Sequence, residues 1–206
     1  MSERAAEPIR PAATVVLWRS TPAGLQVLMG QRGRAAAFMP SKYVFPGGAV
    51  DAEDGARGSD AGLAARCQSR LTLRCPEGAP PPAMLAAAAR RELTEETGLV
   101  LAAGPPGSLR FIFRAITPPG RSRRFDARFF LADALAVSGD AESFAGASDE
   151  LSHLHWIGLD AARNLDLPFI TEVVLAETAA LLAGQDQPGV PFFDNSGPVP
   201  TFRRLD

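Results

Sequence analysis

An α+β fold is what this sequence predicts, on three observations. Short segments alternate apolar and polar residues with period two, as half-buried strands do. Two longer stretches carry helical spacing together with helix-boundary residues. The two kinds are mixed without a regular βαβ alternation, which disfavours a doubly wound parallel sheet. The 206 residues, 46% hydrophobic and 21% charged, suit one globular domain.

Residues 13–19 (Ala-Thr-Val-Val-Leu-Trp-Arg) form the first expected strand, rich in β-branched side chains. A Thr-Pro-Ala-Gly turn at 21–24 leads into a second, in which Leu25, Val27 and Met29 share one face. Tyr43-Val44-Phe45 then runs into Pro46-Gly47-Gly48, expected as a tight turn or loop. In the next segment Leu63, Cys67 and Leu71 recur at helical spacing, and Arg66, Arg70 and Arg74 make a parallel stripe. That stripe reads as a solvated face or as a contact for an anion or partner. A stronger helix opens at Pro80-Pro81-Pro82 and ends at Gly98, the residue type expected just past a helix C-terminus. Two further strands are expected at 124–131, where Phe125, Ala127, Phe129 and Leu131 share a face opposite Arg124, Asp126 and Arg128, and at 154–158. A last helix is expected at 169–183. From Gln185 the chain is rich in proline, so it is expected as a tail that is loosely ordered or held by docking.

The balance of 21 basic and 23 acidic residues gives a net charge of −2, which argues against a bulk electrostatic nucleic-acid binder. Lys42 is the lone lysine, so any anion site must be built from guanidinium groups, which hold phosphate bidentately. Cys67 and Cys75 cannot make a disulfide framework and are not spaced as a zinc site. No apolar signal segment or membrane span is evident, so a cytoplasmic protein without a membrane partner is expected.

Residues 90–99, Arg-Arg-Glu-Leu-Thr-Glu-Glu-Thr-Gly-Leu, are the most informative. On a helix Glu92 neighbours Glu95 and Glu96 at i, i+3 and i, i+4, so three carboxylates are expected to converge. Each like-charge pair costs roughly 0.2–0.5 kcal/mol on an isolated helix. The negative end of the helix dipole adds about 0.3–1 kcal/mol for each. A cation among them reverses the sign of both terms. Hard oxygen donors without a His or Cys cluster select Mg²⁺ or Mn²⁺ over zinc. The plainer reading is a solvated acidic face neutralised by Arg90 and Arg91.

Residues 91–99 match the C-terminal half of the Nudix signature, Arg-Glu-Φ-x-Glu-Glu-x-Gly-Φ with Φ apolar, and Phe45-Pro46-Gly47-Gly48 resembles its opening. On these motifs the chain resembles a Nudix hydrolase over roughly residues 10–185. Two departures stand out. Asp54 occupies the place of the usual Glu six residues after the glycine, and the usual seven-residue interval before Arg91-Glu92 is 36 residues, 55–90. The branch similar to peroxisomal coenzyme A diphosphatases carries such an insertion, and segments like Phe38-Met39-Pro40 and Arg124-Phe125-Asp126.

The resemblance implies a Nudix-type α/β/α sandwich with a mixed sheet and an inserted helical segment. Its layout would be an N-terminal tail at 1–9, a domain at 10–185 with the insertion at about 55–82, and a C-terminal tail at 186–206. The implied reaction is metal-dependent hydrolysis of a small-molecule diphosphate, a nucleoside diphosphate linked to another moiety X. Glu92 and Glu96, with Glu95 and the carbonyl of Gly47, would hold Mg²⁺ or Mn²⁺, and Arg91 would orient them. The general base is Glu150 or, within the motif, Glu95; Asp149 is a near competitor, and Asp140 and Glu142 of the 139–143 loop are remote ones. Arg32, Arg34, Arg123 and Arg124 flank Gly/Pro turns and are the candidate phosphate contacts. His153 and His155 read as strand residues rather than a metal pair.

Coenzyme A or acyl-coenzyme A leads as substrate, with ADP-ribose, NADH and dinucleoside polyphosphates open. A homodimer fits, as many relatives dimerise. The competing classes are a Nudix-like ligand-binding module without hydrolysis, which has no need of the acidic triad, and an α+β protein whose acidic helix is only surface.

Overall fold

The computed structural model describes residues 7–57 and 62–206. Residues 1–6 of the expected tail at 1–9 and residues 58–61 of the insertion lie outside the described residues. The strands are β1 (Ile9–Thr21), β2 (Gly24–Arg32), β3 (Tyr43–Val44) and β4 (Gly47–Ala49), followed by helices α1 (Ala65–Thr72) and α2 (Pro82–Thr97). Then come β5 (Val100–Leu101), β6 (Leu109–Ile116), β7 (Arg124–Asp133), β8 (Val137–Ser138) and β9 (Leu151–Gly158). Helices α3 (Leu159–Ala162) and α4 (Phe169–Leu182) precede β10 (Val190–Asp194) and β11 (Thr201–Leu205).

Among the described residues one mixed sheet runs β11-β10-β6-β7-β1-β2-β3, with β4 joined to β1 and β9 to β2. The expected α/β/α sandwich is present. On one face α1 and α2 bury Leu63, Leu71, Leu85 and Leu93 against Ala13, Val15, Phe111 and Phe130. On the other, α4 buries Val174, Leu175 and Leu181 against Val16, Met29, Phe113 and Phe129. Ala86 to Ala89 of α2 are buried, and such small side chains let a helix lie close to the strands beneath it.

The strand that positions the site is β1. Its C-terminal part, Trp18–Thr21, pairs with β2, whereas Ala12–Thr14 pairs with β4 on the same edge. Pro46-Gly47-Gly48, expected as a turn or loop, thus contributes to a short strand. A Cβ at Gly47 would lie 2.6 Å from the Ala13 carbonyl oxygen, so only glycine fits this approach.

Several expectations need correction. Residues 109–116 were not expected as a strand, because Leu-Arg-Phe-Ile-Phe-Arg-Ala-Ile has no clean alternation. The pairing slips between Phe111 and Phe113, and both faces of β6 are covered, so the period-2 signal is lost. The segment expected as a C-terminal tail supplies two strands: β10 runs parallel to β6, and β11 pairs antiparallel with β10.

The arginine stripe of the insertion is split: Arg74 is exposed, whereas Arg66 and Arg70 are tied to the C-terminal segment. Arg66 donates to the Pro188 carbonyl, and buried Arg70 donates to the Gln187 and Pro188 carbonyls, so the insertion clasps the C-terminal segment. The polar face of β7 is also interior. Arg114 makes a bidentate pair with Asp126 at 2.8 and 2.7 Å and donates to the Leu73 carbonyl, while its guanidinium stacks on Phe192 at 4.4 Å. Arg128 lies 3.0 Å from the same carboxylate. His155 pairs with Met29, whereas His153 falls where the β2–β9 register shifts and has φ of 50°, so the two are not successive residues on one face of a regular strand.

Candidate active site

Helix α2 ends at Gly98, whose φ of 76° gives the left-handed cap. Its last turns face the Gly47–Ala49 strand. Glu96 accepts a hydrogen bond from the Gly47 backbone N–H at 2.7 Å, and its other carboxylate oxygen is buried without a hydrogen-bond partner. Glu92 packs on Gly48 so closely that a Cβ there would lie 2.5 Å from the carboxylate. Burial pushes the Glu96 carboxyl up to about 8, partly opposed by the Gly47 N–H and reinforced by the charges of Glu150 and Glu92. Burial also raises Glu92, against the pull of Arg91.

Arg91 organises this end of the helix. It forms a bidentate pair with Asp54 at 2.9 and 3.0 Å, donates to Glu92 at 2.8 Å and to Glu95 at 2.9 Å, and reaches the Ala49 carbonyl. Asp54 is fully buried. Burial works against its charge, but hydrogen bonding to Arg91 outweighs this and holds the carboxyl below its usual value. The sequence assigned Asp54 no role, although its place six residues after Gly48 was the available signal. The shorter carboxylate still reaches the guanidinium across the 36 residues of the interval 55–90.

The expected convergence of three helix carboxylates is corrected here. Among the described residues no group of three or more His, Cys, Asp or Glu is gathered as a metal cage. Arg91 draws Glu95 outward, leaving its side chain 54% exposed and outside the main cleft. The third carboxylate near Glu92 and Glu96 is instead Glu150. The Ser148 N–H donates to the Glu95 carbonyl at 2.9 Å, and Gly146 abuts Gly98, so the 146–150 loop is pinned against the end of α2. Glu150 then lies at the cleft, paired with Arg32 at 3.0 Å. Glu142 pairs with Arg19 instead.

The cleft has a volume of about 330 Å³ and runs from Glu92 and Glu150 past Gly47 and Gly48 to Phe38 and Phe125. Of the four candidate phosphate contacts, Arg32 and Arg123 line it, and Arg34 is exposed outside the lining. Arg124 is not available to substrate. It is buried and donates to the carbonyls of Thr117 and Asn195, because even-numbered residues of β7 face the side that carries α1 and α2, away from the cleft. Arg10, which no motif marked, also lines the cleft.

Hard oxygen donors, two of them on buried side chains, and an unpartnered buried carboxylate oxygen fit a divalent cation of the Mg²⁺ or Mn²⁺ type. No model of a known protein family matches the chain. Its structure is similar to the crystal structure of a Nudix hydrolase from Alicyclobacillus acidocaldarius, with TM-score 0.65 and 27% identity over 86% of this chain and 92% of that one. The chain has the fold of the Nudix hydrolases. Two more distant structures share the Nudix fold. One is an Ap4A hydrolase from C. elegans (TM-score 0.52, 17% identity, 85% of this chain and 99% of that one). The other is the Nudix domain of Shewanella oneidensis NrtR complexed with ADP-ribose (0.53, 16%, 88% and 94%). The split Nudix motif is thus closed in space by the Asp54–Arg91 pair.

Proposed function

We propose that this protein is a Mg²⁺- or Mn²⁺-dependent enzyme that cleaves the diphosphate of a nucleoside diphosphate linked to a moiety X. The observation that carries this reading is the pair of buried carboxylates, Glu92 and Glu96, beside Gly47, with one oxygen left unpartnered. Glu92 and Glu96 would hold the cation, with the Gly47 carbonyl and Glu150 at its edge. When bound, the cation neutralises phosphate oxygens and makes water more acidic.

The chain's own residues supply the rest. Glu150 accepts the proton of the attacking water. The water oxygen bonds to phosphorus, the bridging P–O bond breaks, and the leaving phosphate carries away the electron pair. Arg91, fixed by Asp54, keeps Glu92 aimed inward, and Arg32 offsets the charge of the diphosphate. Glu95 serves less well as base, since Arg91 holds it outside the cleft.

Coenzyme A or acyl-coenzyme A is the leading substrate, supported by the insertion at about 55–82 and by Phe38 and Met39, which line the cleft. The Ap4A hydrolase and the ADP-ribose complex among the structural neighbours keep dinucleoside polyphosphates and ADP-ribose in the panel, alongside NADH. The test incubates these compounds with the protein and Mg²⁺ or Mn²⁺ and reads products by mass. Metal-dependent appearance of two phosphate monoesters from one diphosphate is expected. Intact substrates throughout would overturn the reading.

A further inference from the structure

The cleft has a second charged end that hydrolysis of a diphosphate does not require. Arg10, Ala12 and Thr14 of β1 line it in sequence, as do Phe125, Ala127 and Phe129 of the adjacent parallel strand β7. Thr14 pairs with Gly47, at the carboxylates. Arg10 lies four residues away along the same strand, about 13 Å at the usual rise of a β-strand. The neighbouring strand shows the same end, since Arg10 pairs with Phe125 and Ile9 with Arg124, which places Arg123 just beyond. Arg123 also lines the cleft.

Both guanidinium groups are exposed, and among the described residues neither makes a hydrogen bond or ion pair. This contrasts with Arg32, which already faces Glu150. The ring of Phe38 meets that of Phe125 edge-on at 5.2 Å, and Ser122 donates to the Ala37 carbonyl at 2.8 Å. The 33–42 and 117–124 loops are therefore tied together over this end. Between the charged ends lie aromatic and small apolar side chains, a lining that accepts a flat uncharged group but offers no partner for an anion.

We propose that Arg10 and Arg123 bind a second anionic group of the substrate, a phosphomonoester on its nucleoside, held about a nucleoside's length from the scissile diphosphate. The inference rests on the hydrolase reading for where the diphosphate lies. Guanidinium pairs hold a dianionic phosphate through charge-assisted, bidentate hydrogen bonds, and an otherwise unpaired arginine gives up no partner to do so.

Two pairs of probes differ by that one phosphate: NADPH against NADH, and coenzyme A against dephospho-coenzyme A. The phosphorylated member is expected to have the higher kcat/KM by roughly 10- to 100-fold. The Arg10→Ala/Arg123→Ala double variant is expected to bring that ratio close to one, while Arg34→Ala leaves it as it was. Calorimetry gives a readout independent of turnover. Adenosine 2′,5′- or 3′,5′-bisphosphate should bind at least about 10-fold more tightly than AMP, and the double variant should lose the difference. Its thermal midpoint should match that of the unmodified protein, since neither arginine has a partner to lose. Equal binding of the bisphosphates and AMP, or a preference that survives the double variant, would overturn the proposal even if diphosphates are hydrolysed. Preserved discrimination in binding without any hydrolysis would overturn the hydrolase reading alone.

Discussion

Two arginine-centred clusters of this molecule use the same chemistry to opposite ends. Around Arg91, one guanidinium serves Asp54, Glu92, Glu95 and the Ala49 carbonyl, and the neighbouring Glu96 still has an oxygen to spare. Around Asp126, two buried guanidinium groups share one carboxylate, and Arg114 also binds carbonyls of the insertion. The first cluster has surplus negative charge and opens on a cleft. The second has surplus positive charge and is sealed beneath α1 and the C-terminal strands. Surplus charge beside solvent can recruit a ligand, whereas a sealed cluster can only hold the fold together.

The largest effect should come from breaking the sealed cluster. Asp126→Ala leaves two buried guanidinium groups without their carboxylate and is expected to cost about 3–5 kcal/mol of stability in denaturant unfolding. A loss under about 1 kcal/mol would mean that water already reaches these arginines. At the open cluster the matching change acts on activity. Asp54→Asn removes the charge that orients Arg91, and turnover should fall roughly 10- to 100-fold, as for other partners that orient a ligand-holding residue. Unchanged turnover in Asp54→Asn would reduce the pair to a structural tie.

The sequence made the open cluster far easier to read than the sealed one. Glu92, Glu95 and Glu96 stood out because local physics opposes three carboxylates at that end of a helix, and the flanking motif matched a known one. Spacing alone could not show that Arg91 would pull Glu95 aside, or that the 146–150 loop would bring Glu150 in its place. Both depend on contacts from distant parts of the chain. In the sealed region Arg124, Asp126 and Arg128 alternate with apolar residues as on a half-exposed strand. Their burial follows from an insertion and a C-terminal segment that cover the second face. That segment was illegible as strand because Pro188, Pro191, Pro198 and Pro200 mark turns and edges, and its place is set by partners more than 70 residues away, such as the Asn195–Ile116 bond.

A third change probes the fit of the open cluster. Gly48→Ala places a methyl group 2.5 Å from the Glu92 carboxylate, so metal-dependent turnover should drop while the sheet survives, checked by circular dichroism. A smaller effect is expected from pH. Glu96 is raised in the folded state to about 8, so its proton stabilises the fold at acid pH, and that contribution is lost as pH rises from the ordinary carboxylate range through about 8. Without divalent cation the thermal midpoint should fall across this window. Mn²⁺ or Glu96→Gln should flatten the slope, and a midpoint that rises instead would contradict the assignment. The smallest effect should be Arg66→Ala, which removes one exposed bond to the Pro188 carbonyl and should cost under about 1 kcal/mol.

The most direct measurement is Glu92→Gln, assayed for Mn²⁺-dependent diphosphate hydrolysis and for thermal midpoint on the same preparation. Removing one of two clustered buried carboxylates should abolish turnover while leaving the midpoint unchanged or higher in the absence of metal. Full turnover in the variant would contradict the account, because the acidic end of α2 would then be surface charge and not a place for a cation.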